Sequence, residues 1–141
     1  MTNNSSYAAL LLRLALGVTL FAHGAILKLG TFGLAGTMGY FGSLGLPPIL
    51  GALVAFGETA AGIALVAGVL VRTASLLSLP IVLGAVVVHA GNGWVFNAPG
   101  GGWEYPALLA VGLAAQALLG AGAFALEPRR LLRRGGVAQA A

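Results

Sequence analysis

Glu58, His23, His89 and Glu104 are residues whose types could do chemistry in an otherwise apolar chain. Glu58 stands alone in the run Pro48–Val71, PILGALVAFGETAAGIALVAGVLV. At about 1.5 Å per residue such a run can cross a hydrocarbon core of roughly 30 Å. A carboxylate inside it costs a few kcal/mol on insertion scales, so it faces protein or water rather than lipid. Gly51, Ala55, Ala61 and Gly62 share its helical face, at i−7, i−3, i+3 and i+4. Small residues there let another helix approach closely. Glu58 is therefore expected to point into a helix bundle.

Three chemistries could use these groups. Two histidines and a carboxylate, His23, His89 and Glu58, could hold a metal, but no H-x-x-x-H or E-x-x-H spacing places them on one helix. Bis-histidine haem ligation between His23 and His89 would need both at one height. A protonatable His/Glu site for a quinone or another small amphipathic ligand fits better. Quinone carbonyls need hydrogen-bond donors and proton exchange, which imidazole and a carboxyl can provide. Plainer roles stand beside these. Glu58 could be a structural carboxyl hydrogen-bonded to a facing helix, and the histidines could be helix-end polar groups. Glu104 could favour a helix N-terminus through the dipole. Trp94 and Trp103 could be interface residues, and Lys28 and Arg72 topology anchors.

The elements that must position these groups follow from composition. Of 141 residues, 59% are hydrophobic and 7% charged, where a soluble domain carries roughly 25% charged residues. The chain is read as an integral membrane protein with an all-α fold, a four-helix transmembrane bundle. Spans are expected at about 7–29, 48–71, 74–90 and 103–126, with a basic tail at 128–141. The net charge of +4 is not a nucleic-acid signature, because four of the seven basic residues are Arg129, Arg130, Arg133 and Arg134 in that tail. The absence of cysteine excludes thiol–disulfide relays, cysteine-ligated iron–sulfur clusters and c-type haem attachment. MTNNSSY lacks a basic residue and the following apolar run has no clear A-x-A site, so the first span is expected to be retained.

Between the first two spans Leu34, Met38, Phe41 and Leu44 recur at helical spacing, which predicts a short interfacial or re-entrant helix. Arg72-Thr73 is read as a short turn joining antiparallel spans, and Pro80 as a kink. Gly91–Gly102 is a loop dense in turn residues and aromatics. Four spans put both termini on one side, and the Arg-rich tail with Arg72 makes that side cytoplasmic. Arg13 is expected near the same face. This topology, N-in and C-in, carries His23 to roughly 9 Å and Glu58 to roughly 15 Å below the outer end. His89, Glu104, Asn92 and Asn97 join that outer half, whereas the opposite half has mainly Arg13, Arg72 and Gln116. Lys28 belongs at the outer level too, but at about 140° around an α-helix from His23 it need not join the same pocket.

Taken in order, FAHGAILKLGTFG, SLGLPP, the Glu58–Gly62 step, GVLVRTAS, VVVHAGNGWVF and PGGGWEYP resemble the DoxX family of small bacterial membrane proteins. The resemblance covers about Leu10–Leu126. Many relatives carry H-G-x-x-K at the end of span one, and here one more residue separates His23-Gly24 from Lys28. The resemblance implies a multi-pass protein of the bacterial inner membrane. It also implies a link to redox metabolism, as a subunit of quinone-linked sulfur-compound oxidation or a membrane partner of oxidative-stress enzymes. His23, Glu58, Arg72, His89, Trp103 and Glu104 are the motif residues carried over.

The expected function is a membrane subunit with a polar pocket around His23, Glu58, His89, Glu104 and Trp103, binding a quinone or amphipathic ligand. Electrons would come from a partner or bound cofactor, since the chain has no electron-carrying side group. The alternative is a non-catalytic anchor or assembly factor, docking a soluble partner through Arg129, Arg130, Arg133 and Arg134; a homo-oligomer is compatible with either. A small-solute permease is the least favoured reading.

Overall fold

A computed structural model describes residues 3–127, and over them the chain is helical with no strand. The basic tail with Arg129, Arg130, Arg133 and Arg134 lies outside the described residues. Helix α1 (Asn3–Phe21) continues directly into a π-helical segment (Ala22–Thr31). Then come α2 (Gly33–Ser43), α3 (Pro48–Ala67), α4 (Val71–His89) and α5 (Glu104–Leu119). Three stretches, Asn3–Thr31, Pro48–Ala67 and Val71–Asn92, are long and apolar enough to cross a membrane, and α5 is a shorter apolar helix. The helix expected between the first two spans is α2, which packs on α3 where Gly51 lies under Thr37, Met38 and Phe41.

Each boundary has a local cause. Pro48 opens α3 at a first-turn position where no amide proton is needed. Gly68 closes it in the left-handed conformation (φ 73°), its N–H bonded to the Ala64 and Leu65 carbonyls. The turn between α3 and α4 is thus Gly68-Val69-Leu70. Arg72 and Thr73, read from the sequence as the turn, lie in the first turn of α4. The apolar run GVLV hid a glycine cap that only its backbone angle reveals. At the far end α5 stops at Gly120 (φ 79°), short of the 126 expected. The following segment folds back on α1, with Ala123 N–H donating to Ser6 O at 3.0 Å and the Tyr7 and Phe124 rings 6.2 Å apart.

The core joins α1, α3, α4 and α5 through Leu16, Leu20, Leu65, Val71, Val82 and Leu113. Outward faces stay apolar, Leu77, Val87, Leu108 and Leu118 among them, as suits helices surrounded by lipid. Where α1 and its π extension cross α3, glycine replaces side chains. A methyl at Gly62 would lie 2.5 Å from Phe21 N, and one at Gly24 would lie 2.6 Å from Thr59 N and 2.7 Å from Ala55 O. That approach sets the height at which the first helix meets Glu58.

Candidate functional site

Glu58 is buried on the inner face of α3, as its small neighbours predict. Lys28 Nζ donates to its Oε2 at 2.7 Å, and the two side chains are 20% and 9% exposed. Lys28 is therefore a partner of Glu58 and not a separate anchor. An α-helical count leaves Lys28 about 140° from His23, but this segment is not α-helical. In the π-helical segment bonds run from i to i+5, as from Phe32 N–H to Leu27 O at 2.8 Å. Residues five apart then fall close to one face, which brings Lys28 round to the side of His23. The Lys28 carbonyl accepts from Thr37 Oγ1 at 2.8 Å, tying α2 to the same point. A lone acid in an apolar run requires a counterpart, and that requirement was the available signal for Lys28.

The pair stands on the common wall of two cavities. One, about 400 Å³, is lined by His23, Lys28, Glu58, His89, Tyr105 and the backbone of Gly101 and Gly102, with apolar side chains of α1, α4 and α5. We refer to it as the chamber. The other, about 470 Å³, lies between α2, α3 and the second half of α4, and its lining is apolar apart from Lys28, Glu58, His89 and the Tyr40 hydroxyl. This is the groove. Lys28, Glu58, Ala85 and His89 line both.

His89 follows a buried stripe of α4 that includes Ser75, Ser78 and Val82. Its Nδ1 lies 3.1 Å from the carbonyls of both Gly100 and Gly101. Carbonyls only accept, so Nδ1 carries a proton; whenever the ring is neutral, Nε2 is the acceptor. Asn92 Nδ2 donates to the same two carbonyls at 2.9 Å. His89 and Asn92 together hold the 93–102 loop over the chamber. His23 stacks on Tyr105 with ring centroids 6.5 Å apart.

Glu104 and Trp103 are placed differently. Glu104 Oε1 accepts from Phe96 N–H at 2.8 Å, and its side chain lines a third cavity with Trp94, Phe96, Leu108 and Val111. Trp103 packs edge-on against Trp94, centroids 4.4 Å apart. Both residues secure the loop to α5, and neither lines the chamber. Tyr105, in the first turn of α5, lines it instead. Among the described residues, no three histidine or acidic side chains gather as a group that could hold a metal ion.

Arg13 lies at the opposite end, with Arg72, but is buried there, 1% exposed. Its Nη2 donates to Ala123 O at 3.2 Å, and its guanidinium lies against Gly68 at the C-terminus of α3. Arg72 reaches Leu118 O at the C-terminus of α5. Buried Gln116 donates to Gly120 O at 2.7 Å. Cations at helix C-termini offset the negative end of the dipole.

A family model described as DoxX matches residues 8–91. That stretch takes in most of α1 and all of α2 to α4, and with them His23, Lys28, Glu58 and His89. Comparisons with curated proteins and with solved structures return no match.

Proposed function

The chain belongs to the DoxX family, and from that premise we propose that it is a membrane subunit that binds the head group of a quinone or similar amphipathic ligand in the chamber. The observation that carries the reading is the Lys28–Glu58 pair on the chamber wall. Wherever the shared proton lies, the pair has no net charge, which suits a neutral head group better than an anion. Lys28 has donors beyond the one given to Glu58, and Tyr105 adds a hydroxyl; either can donate to a quinone carbonyl. The second Glu58 oxygen and His89 Nε2 can accept from a quinol hydroxyl. Both redox states of such a head group are thus served, and Glu58 with the histidines provides proton exchange. The electrons belong to a redox centre on a partner protein. A volume of about 400 Å³ falls within the usual range of small-molecule sites, roughly 300–1,000 Å³.

The same reading supplies a topology. Residues 3–127 form one bundle in which α1 with its π extension, α3, α4 and α5 each cross the bilayer of a bacterial inner membrane. The Arg13 and Arg72 end faces the cytoplasm together with the basic tail, and the chamber lies in the outer half. The test is binding of a quinone to the purified protein, followed by intrinsic tryptophan quenching. Glu58→Gln, which removes the acceptor charge, is expected to weaken binding roughly tenfold or more, as loss of a buried charged partner does. Wild-type protein that shows no saturable quinone binding would sink the proposal.

A further inference from the structure

The groove has no part in holding a head group, yet it shares its inner wall with the chamber. Beyond Lys28, Glu58 and His89 its lining is supplied by side chains such as Phe41, Leu50, Leu53, Val54, Ile81 and Val88. Its outer rim is open, with Leu44, Leu50 and Leu53 each more than a third exposed. In a protein surrounded by hydrocarbon, an open apolar cleft at membrane depth admits lipid-like chains and offers little to a water-soluble solute. Gly84 widens it, since a methyl group there would meet nothing within 4 Å.

We propose that the groove between α2, α3 and α4 is the subsite for the hydrocarbon or isoprenoid tail of a ligand whose head group occupies the chamber. The ligand enters sideways from the bilayer, passes between α3 and α4, and meets the Lys28–Glu58 pair at the end of the groove. This rests on the head-group reading above and adds to it the class of ligand, a lipid-soluble one, and the route. The two cavities share the wall formed by Lys28, Glu58, Ala85 and His89, and that adjacency is what commits the groove to a tail. A head group bound against that pair has the groove as its neighbouring space on the bilayer side.

The experiment compares a tailless dimethoxy-methyl-benzoquinone with its decyl derivative, on full-length wild type and Gly84→Phe in detergent–lipid nanodiscs. Replacing a helical glycine favours the helix, and the new ring fills the groove without approaching the chamber. Partitioning of each compound into lipid is the same for both proteins, so the ratio between proteins reports the groove alone. The decyl compound is expected to bind Gly84→Phe roughly tenfold more weakly than wild type, a common size for lost apolar pocket contacts. The tailless compound is expected to change by less than about twofold. Equal changes for both compounds, or none for either, overturn the tail subsite and leave the head-group reading in place. Failure of both compounds to bind wild type overturns both.

A measurement without any variant guards against misfolding of Gly84→Phe. A decyl quinone with a diazirine at the tail end, photolysed on wild-type protein, is expected to label Leu53, Ile81 or Val88. Labelling confined to the outward face of α5, at Leu108 and Val111, overturns the proposal.

Discussion

At one end of the bundle Arg13 and Arg72 direct their guanidiniums to backbone carbonyls, those of Ala123 beyond α5 and of Leu118 in its last turn. At the other, Lys28 and Glu58 direct their charges at each other, beside two cavities. Both ends hold ionic groups against an apolar core, but their partners differ in kind. A carbonyl is fixed by the backbone and cannot be altered by substitution. A side-chain pair can be replaced as a unit. Burying two charges costs desolvation that their attraction barely offsets, so such a pair is weak as a device for stability. An ion pair kept on a cavity wall is better explained by what enters the cavity. One end's charges meet the backbone, whereas the other end's charges line cavities.

The sharpest way to break this distinction is to neutralise each end. Arg13→Met removes a cation that is 1% exposed and holds Ala123 O. The expected loss is about 2–3 kcal/mol, typical of buried hydrogen bonds from charged groups. Glu58→Gln alone strands Lys28, and with Lys28 one-fifth exposed about 2 kcal/mol is expected, less than for a fully buried pair. The double variant Lys28→Met with Glu58→Leu should return to within about 1 kcal/mol of wild type while losing ligand binding. Equilibrium unfolding in mixed detergent measures all three. A double variant as unstable as Glu58→Gln would make the pair part of the scaffold and erase the difference between the ends.

His89 tests the chamber end more gently. Its Nδ1–H serves the Gly100 and Gly101 carbonyls, and Asn92 serves both as well. His89→Ala should therefore loosen the 93–102 loop without releasing it, at about 1 kcal/mol. Faster amide exchange confined to that loop is the expected result, with α4 protection unchanged. Exchange spreading through α4 would mean that His89 is a packing residue and not a loop tether.

Three long apolar helices and the inward direction of Glu58 were legible because apolar length and small-residue spacing act along a single helix. Lys28 was not. Its position depends on a π-helical segment, and periodicity counted at α-helical pitch turns it away from His23. Gly68 hides its cap inside an apolar run, which moved the α3–α4 turn by several residues. The carbonyls that receive Arg13, Arg72, His89 and Asn92 have no sequence signature, because every residue has one. Glu104 looked like a member of the outer polar cluster on depth alone. Depth gives a height but no direction, and its carboxylate turns back to the Phe96 amide.

Arg72 separates burial from helix-end charge as the source of scaffold strength. It occupies the same kind of place as Arg13, at a helix C-terminus, but is exposed and reaches Leu118 O only at 3.4 Å. If a favourable dipole were sufficient, the two arginines would matter equally. Solvent and counterions screen the exposed one, so Arg72→Ala should cost no more than about 0.5 kcal/mol. Arg72→Glu, which places like charge at the negative end of α5, should cost about twice that. Both are read in the same unfolding assay as Arg13→Met. A loss of 2 kcal/mol or more for Arg72→Ala would show that the helix-end charge acts unscreened. Burial would then no longer distinguish the two residues.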